Sequence, residues 1–442
     1  MGSGSSLTIG GTYANSSSVA ATFHCASTFI VNGPGASTIP AANYGTLTIS
    51  GGARTLASSG TIGVCGSYTP GSPMTVTGST VDFNGAGGQS IAASTYNNLT
   101  ISNSRGGGAI TLPAGTIAVG GTFDVSTLSA FTATVNASSI FDFTAAGAQT
   151  IPAFFYGQLN NTGNGNRTWA SSGTIDINQG FTPGSGTHTI TGSTVQYSNT
   201  AATTWNLSSF TSNVASRQYN NLILNGGSTT NWSINTAISI GVAGNLTITS
   251  GTLQVGTATA GTLNVDGTLT INGANGTLNI ATGAGAAVVN HLGNFVQSAG
   301  TITRTGAGTA NYNFIKATGT QTINQSGGTI IGTTNWNIGN GSTSNTVQLA
   351  SNLAIGGGTV SPKASATMDF QGFVLSGAHS FVTVALSTLV SSNTNSTGCF
   401  TTLATGAFGS VQSTTLRTYA ASTNFTFNGS SNQNTGNGVG AN

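Results

Sequence analysis

The chain has 442 residues, and only 14 of them carry a formal charge, namely 8 Lys or Arg and 6 acids. Soluble domains usually have about 25% charged residues, whereas this chain has 3%. Every acid is Asp, and without Glu the chain lacks residues that favour exposed helix surfaces, so we do not expect a helical bundle, a coiled coil or an ordinary α/β enzyme. A net charge of +2 without a basic cluster argues against nucleic acid as a partner.

The first residues, MGSGSS, have neither the charged nor the apolar segment of a signal peptide, and we interpret residues 1–6 as a linker or an added start. No apolar run in the chain reaches the roughly 18 residues of a membrane helix. We therefore expect no insertion into a membrane.

Three cysteines, Cys25, Cys65 and Cys399, are too few for a disulfide framework. Cys25 and Cys65 could form a disulfide if they lie on neighbouring turns of a repeat. Three isolated buried thiols are the other interpretation, so cysteine usage does not by itself predict the compartment.

One order of residues recurs in the first half of the chain, over residues 27–68, 79–125 and 139–181. The same anchor types return in the same order in each copy. Inside each copy, short runs alternate apolar with polar residues, and this period of two predicts strands with one buried face. The positions predicted to form the repeat core are Val31, Phe83, Phe143, Leu47, Leu99, Leu159, Ile91 and Ile151.

Gly, Asn and Ser interrupt these short strands, and nothing in the chain predicts a helix. Single-strand units of the form GTL-x-V or GTL-x-I favour an all-β fold, a right-handed parallel β-helix (β-solenoid), over the alternatives of a β-propeller or an array of β-sandwiches. At about 20 to 25 residues per coil, we expect about 18 to 20 coils. We assign repeats of about 52–60 residues to residues 7–300, degenerate β repeats to residues 301–424 and the start of an incomplete repeat to residues 425–442.

Stacked repeats would also explain the low charge. Each residue would lie about 4.8 Å from its own copy in the next coil, so that a repeated charge would face its like. Neutral Asn, Ser and Thr would instead pair favourably along the stack.

Three phrases carry a resemblance to known proteins: VDFNGAGGQSI at residues 81–91, NLTIS at residues 98–102 and GTLNVDGTLTING at residues 261–273. They resemble the repeats of large bacterial surface proteins, of the filamentous-haemagglutinin and autotransporter-passenger kind and of type IX-secreted adhesins. The resemblance implies an extended, secreted, parallel β-helical stalk that adheres to surfaces or builds matrix. It carries over no catalytic residue.

The resulting expectation is a non-catalytic structural protein at the cell surface or outside the cell, which acts as an adhesin stalk or as a fibre or matrix subunit. Its expected partners are further copies of itself, head to tail or lateral, or cell-surface glycans. The alternative is a carbohydrate-binding or polysaccharide-degrading β-helix protein.

The acids and histidines do not suggest catalysis. Asp82 and Asp142 share one repeat position, which other copies fill with Ile30 and Gln196, so we interpret it as structural. The four histidines are isolated and lack the spacing of metal ligands. We predict no enzymatic activity, no metal and no cofactor.

Five residues are candidates for contact with a carbohydrate. Arg54, Arg105 and Arg167 follow equivalent strands in successive repeats and could form a spaced row that faces a sugar, although solvated turn residues are the ordinary interpretation. Trp169 and Trp232 could stack on sugar rings if they are exposed, and core positions are the alternative.

Overall fold

The structure is a computed structural model that describes residues 1–11, 23–71, 73–234, 238–342 and 344–440. The chain divides into two units, Met1–Ser193 and Thr194–Asn442. The described part contains strands and one 3-10 helix, Leu403–Thr405, and no helix in it is long and apolar enough to span a membrane. The divisions predicted after residues 300 and 424 stay predictions.

The strands of the first unit are short. Their bounds are β1 (Ser6–Ile9), β2 (Thr28–Val31), β3 (Ser37–Ile39), β4 (Asn43–Tyr44), β5 (Thr46–Ile49), β6 (Arg54–Leu56), β7 (Thr61–Val64), β8 (Tyr68–Thr69), β9 (Met74–Thr75), β10 (Thr80–Phe83), β11 (Gln89–Ser90), β12 (Thr95–Tyr96), β13 (Asn98–Ile101), β14 (Ala109–Leu112), β15 (Gly115–Val119), β16 (Phe123–Asp124), β17 (Thr132–Val135), β18 (Ser139–Phe143), β19 (Gln149–Ile151), β20 (Phe155–Tyr156), β21 (Gln158–Asn160), β22 (Arg167–Trp169), β23 (Thr174–Ile177), β24 (Phe181–Thr182) and β25 (His188–Thr189).

The second unit contains the longest strands. Its strands are β26 (Thr194–Tyr197), β27 (Thr204–Asn206), β28 (Asn221–Asn225), β29 (Asn231–Ser233), β30 (Ser239–Val242), β31 (Leu246–Gly256), β32 (Gly261–Val265), β33 (Leu269–Ala281), β34 (Ala287–His291), β35 (Phe295–Gln297), β36 (Thr301–Thr303), β37 (Ala310–Phe314), β38 (Gly319–Gln325), β39 (Thr329–Ile330), β40 (Thr334–Ile338), β41 (Asn345–Leu349), β42 (Leu353–Ala354), β43 (Gly358–Pro362), β44 (Thr367–Asp369), β45 (Leu375–Gly377), β46 (Ser380–Val382), β47 (Thr388–Ser391), β48 (Val411–Ser413), β49 (Leu416–Thr418) and β50 (Asn424–Phe427).

The chain forms a β-solenoid, because neighbouring strands in a sheet come from successive coils and run parallel. In the first unit, Phe29 in β2 pairs with Leu47 in β5, one coil later. In the second unit, Leu263 in β32 pairs with Val289 in β34, again one coil later. The predicted β-solenoid is confirmed. The propeller and sandwich alternatives are excluded, since both are built mainly from antiparallel strands.

The described residues form about 16 coils, fewer than the sequence predicts. Some coils are longer than expected, and one of these lies between Leu389 in β47 and its register partner Phe425 in β50. This long coil contains the 3-10 helix.

Apolar and polar residues alternate along the strands, so that one side of each strand faces the interior of the coil. In β13, Leu99 and Ile101 are fully buried, whereas Thr100 between them is half-exposed. The eight residues predicted as the repeat core are all buried, with at most 1% of their surface exposed.

The sequence repeat and the structural coil have different lengths. In the described residues, each repeat together with the segment that follows it contains eight strands, β2–β9, β10–β17 and β18–β25. Neighbours in a sheet are three strands apart, as in the sheet with the order β16-β13-β10-β7-β4. Because eight is not a multiple of three, equivalent strands of successive repeats do not lie above one another. The equivalent strands β2, β10 and β18 are therefore in three different sheets.

Glutamine side chains fix turns to the preceding coil. Gln321 donates from Nε2 to the carbonyl oxygens of His291 and Gly293, at 3.0 and 2.8 Å, and its Oε1 accepts from the backbone N–H of Lys316 at 3.1 Å. Three other Gln side chains make the same set of bonds. We call these four residues the turn glutamines: Gln89, Gln149, Gln321 and Gln433.

Candidate binding face

One outward face of the second unit is formed mainly by Asn side chains. It belongs to the sheet β30-β32-β34-β37-β40-β43-β46-β49. In β37, Asn311 and Asn313 are half-exposed and alternate with the fully buried Tyr312. In β40, Asn335 and Asn337 flank the buried Trp336 in the same way. The alternation therefore places amides outside and aromatic rings inside.

The buried rings behind this face stack from coil to coil. Tyr312 and Trp336 are nearly parallel, with 4.7 Å between ring centroids and 10° between planes. The Tyr312 hydroxyl also bonds Nδ1 of the buried His291 at 2.9 Å. Because both rings are packed and Tyr312 is also hydrogen-bonded, they hold the strands that carry the amides in a fixed position.

The amides form a continuous row of hydrogen bonds along the stack. Asn264, Asn290, Asn313 and Asn337 are in register in β32, β34, β37 and β40. Each later residue donates from Nδ2 to Oδ1 of the one before, at 3.0, 2.9 and 2.8 Å. Beside this long row, Asn335 donates to Asn311 at 3.2 Å. All these amide dipoles point in one direction.

A primary amide has two N–H donors and an oxygen with two lone pairs. An Asn inside the row uses one donor and one acceptor for its neighbours. The other donor and acceptor can therefore bond a molecule that lies on the face. The row offers this pair once per coil, and parallel strands are about 4.8 Å apart.

A groove of about 430 Å³ lies at the end of the rows. Its lining includes Thr359 and Ser361 of β43, and Lys363, whose Nζ donates to the Ser361 hydroxyl at 3.2 Å. Burial lowers the pKa of the half-buried Lys363 ammonium from its ordinary value. We call the whole surface the amide face; its residues are Asn264, Asn290, Asn311, Asn313, Asn335, Asn337, Thr359, Ser361 and Lys363.

Lys363 is the cation of this face, and no carboxylate pairs with it in the described part of the chain. The ion pair found there joins Arg217 to Asp266 at 2.7 Å. A cation whose side-chain partner is a neutral hydroxyl is suited to bind an added anion.

The three arginines predicted to face a sugar are buried instead, and that interpretation is wrong. At most 1% of the surface of Arg54, Arg105 and Arg167 is exposed. Each guanidinium is turned inward and bonds backbone carbonyls of the preceding coil. Arg167, for example, donates to the carbonyl oxygens of Phe143 and Gly147 at 3.0 and 2.9 Å. A turn has more carbonyls than local N–H groups can satisfy, and the guanidinium fork supplies the missing donors.

The two tryptophans predicted to stack on sugars are also buried, so this interpretation is wrong too. Trp169 is 2% exposed and donates from Nε1 to Nδ1 of His188 at 2.8 Å. Trp232 is fully buried. Their large apolar area fills the interior of the coil, where it is removed from water.

The structure joins Cys25 and Cys65 in a disulfide whose Cα atoms are 5.3 Å apart and whose sequence separation is 40 residues. Cys399 is a buried free thiol. The disulfide links different coils, because Cys25 precedes β2, whereas Cys65 directly follows β7, which pairs with β4 of the coil before it.

Acids and histidines do not converge on one site. Among the described residues, no three His, Cys, Asp or Glu side chains lie close enough together to hold a metal ion. His188, His291 and His379 are fully buried, and burial lowers the pKa of each to about 4. They are neutral core residues at pH 7.

Sequence reasoning missed the amide face, although a signal for it was present. The triplets Asn-Tyr-Asn at 311–313 and Asn-Trp-Asn at 335–337 are one coil apart and pair in register. Polar residues that flank a buried aromatic residue in two successive coils must stack as an outward row.

No model of a protein family, no curated protein and no solved structure matches this chain.

Proposed function

We propose that the chain is a non-catalytic structural repeat protein of the cell surface or extracellular matrix, a stalk or fibre subunit that also carries an adhesive face. The observation that carries this proposal is that side chains fasten successive coils to one another. A solenoid makes contacts mainly between neighbouring coils, so a load along the stack falls on those contacts.

The turn glutamines and the buried arginines strengthen these junctions. Gln149 donates to the carbonyl oxygens of Val119 and Gly121, in the coil before its own, at 2.9 and 2.5 Å. Arg54 reaches back in the same way to the carbonyl oxygen of Gly35 at 2.5 Å. These bonds add to the parallel backbone ladder, so separating two coils also leaves buried polar groups without partners.

The disulfide supports a location outside the cell. Disulfides form and persist in oxidising compartments, such as the cell exterior and the bacterial periplasm. Antibodies against the chain should therefore label intact cells that produce it. Labelling that requires permeabilised cells would contradict this location.

Single-molecule force spectroscopy tests the mechanical role. The full chain is held at its two ends and pulled, with the disulfide intact. We expect stepwise lengthening, and a coil of roughly 20 to 25 residues should release about 65 to 90 Å per step. A single release of the whole chain at low force would overturn the proposal.

A pair of Gln variants makes this test specific. Gln321→Ala removes a turn glutamine and should lower the force of one step. Gln254→Ala, at a half-exposed position in β31 of the same unit, should leave every step unchanged. Equal forces in both variants would show that the turn glutamines do not bear load.

A further inference from the structure

We infer that the amide face binds an extended acidic polysaccharide, whose sugar units lie along the amide rows and whose carboxylate pairs with Lys363. This inference names the ligand of the adhesive face, and so rests on the proposed function.

The spacing of the long row suits a polymer of sugar rings. Asn264, Asn290, Asn313 and Asn337 lie one per coil, and a pyranose unit in an extended chain advances by about one strand spacing. A sugar hydroxyl is both a donor and an acceptor. The amide group not used within the row offers the same pair. One set of hydrogen bonds can therefore repeat at successive coils.

The composition of the face disfavours a protein partner. Aromatic residues and Arg supply most of the binding energy at protein interfaces. From β32 to β43, the outward positions of this sheet hold neither type, and their apolar residue is Val288; the groove adds one further apolar residue, Val382 of β46. Rows of hydroxyl and amide groups suit a polysaccharide, which carries many hydroxyl groups, better than a protein that binds through apolar side chains.

Lys363 selects an anionic polymer. Its ammonium lies in the groove with Thr359 and Ser361, so one carboxylate can accept from a charged and from neutral donors together. The groove volume of about 430 Å³ falls within the range of small-ligand sites, about 300–1,000 Å³. A uronate unit can enter the groove while its neighbours follow the rows.

Calorimetry with two forms of one polymer tests the inference. Polygalacturonate carries a carboxylate on each sugar, and its methyl-esterified form has the same backbone without the charge. The full chain should bind polygalacturonate more tightly, and raising the salt concentration should weaken that binding.

Variants of two lysines test whether the polymer's carboxylate binds at Lys363. Lys363→Gln should weaken binding of polygalacturonate about tenfold, which corresponds to about 1.4 kcal/mol, and should leave binding of the esterified polymer unchanged. Lys316→Gln is the matched control, since Lys316 lies outside the face and donates from Nζ to the Thr320 carbonyl oxygen. This control should bind like the wild type.

Variants of two asparagines test whether the polymer binds along the amide rows. Asn313→Ala breaks the long row and should weaken binding of both polymers severalfold. Asn324→Ala removes a half-exposed Asn in β38 of another sheet and should have no effect. Circular dichroism checks that each variant keeps its β structure.

Three results would overturn the inference: equal affinity for the two polymers, unchanged affinity in Lys363→Gln, or no binding of either polymer. Sedimentation that shows a wild-type dimer lost in Asn313→Ala would assign the face to a second copy instead. The binding results are independent of the stepwise lengthening under force. If the chain lengthens in normal steps but binds neither polymer, only this inference is overturned. If the chain shows no steps, the structural proposal is overturned.

Discussion

Asp82 and Asp142 hold the same position in two copies of the sequence repeat, yet they lie in different sheets and do not stack. Asp82 in β10 pairs in register with Gly63 and Thr100. Asp142 lies in β18, which belongs to the sheet β12-β15-β18-β21-β24. The prediction that each residue lies beside its own repeat copy in the next coil is therefore wrong for this pair.

Each of these carboxylates instead finds a hydroxyl group in the next coil. Asp82 accepts from Ser102 Oγ at 2.8 Å, and Asp142 accepts from Thr162 Oγ1 at 2.7 Å. Burial raises the pKa of Asp82, although the Ser102 bond acts against that shift. Neutral residues do stack on their like: Thr38, Thr55 and Thr75 are in register in the first unit, and the rows of Asn form in the second.

Arg167 should contribute stability and not sugar binding. Arg167→Met removes four hydrogen bonds to backbone carbonyls and should lower the free energy of unfolding of the first unit by about 3 kcal/mol. Arg167→Lys keeps the charge but lacks the planar fork, so part of the loss should remain. Urea denaturation followed by circular dichroism measures both variants. Unchanged stability with reduced polysaccharide binding would contradict the structural role.

The buried histidines should make the chain unstable in mild acid. An unfolded His has a pKa near 6.5, whereas burial lowers the pKa of His291 to about 4. Between these values the unfolded chain binds more protons, so stability is full above pH 6.5 and falls as the pH decreases toward 4. The shift corresponds to about 3 kcal/mol for this residue.

Denaturation midpoints between pH 7 and pH 4 measure this loss. His291→Gln should flatten the dependence on pH, whatever its own stability. His24→Gln changes an exposed histidine and should leave the dependence as in the wild type. An equally steep decline in His291→Gln would contradict the assignment.

The disulfide should stabilise the first unit. It closes a segment with a separation of 40 residues, so the paired change Cys25→Ser with Cys65→Ser should lower the free energy of unfolding by about 2–4 kcal/mol. Mass spectrometry of the denatured wild type should find one alkylated cysteine, Cys399, before reduction and three afterwards. Three alkylated cysteines before reduction would show that the bond is absent.

Trp336 is buried behind the amide face and should hold the strands of that face in position. Trp336→Ala removes a ring that stacks on Tyr312, and should cost about 3–5 kcal/mol of stability and weaken polygalacturonate binding. Trp336→Phe keeps a ring and should retain most of both. Trp205→Ala, at a half-exposed position in β27, should cost less and leave binding unchanged. Calorimetry and urea denaturation compare the three variants, and wild-type binding by Trp336→Ala would contradict the support role.

The turn glutamines show how far a sequence pattern can be read. The phrases at residues 81–89 and 425–433 share Phe-Asn-Gly and a Gln at the same spacing, which indicates a recurring turn. The partners of Gln89 could not be predicted from this pattern. They are the carbonyl oxygens of Val64 and Gly66, which belong to the previous coil and are remote in the sequence.

The sequence by itself determined the parts of this protein that depend on neighbouring residues. Alternation of apolar and polar residues is a local property, and it predicted the strands and buried anchors such as Phe83 and Leu99. The short units of the form GTL-x-V or GTL-x-I predicted the parallel coils. Low charge and the absence of Glu excluded helical folds for the same local reason.

Only the tertiary structure decided which residues face one another. The mismatch between eight strands per repeat and three strands per coil sends equivalent residues to different sheets. The tertiary structure also turned Arg54, Arg105 and Arg167 inward, where their guanidinium groups bond carbonyls of the previous coil. In the second unit it aligned Asn264, Asn290, Asn313 and Asn337 in one row, since stacking depends on the length of each coil and not on the residues beside each Asn.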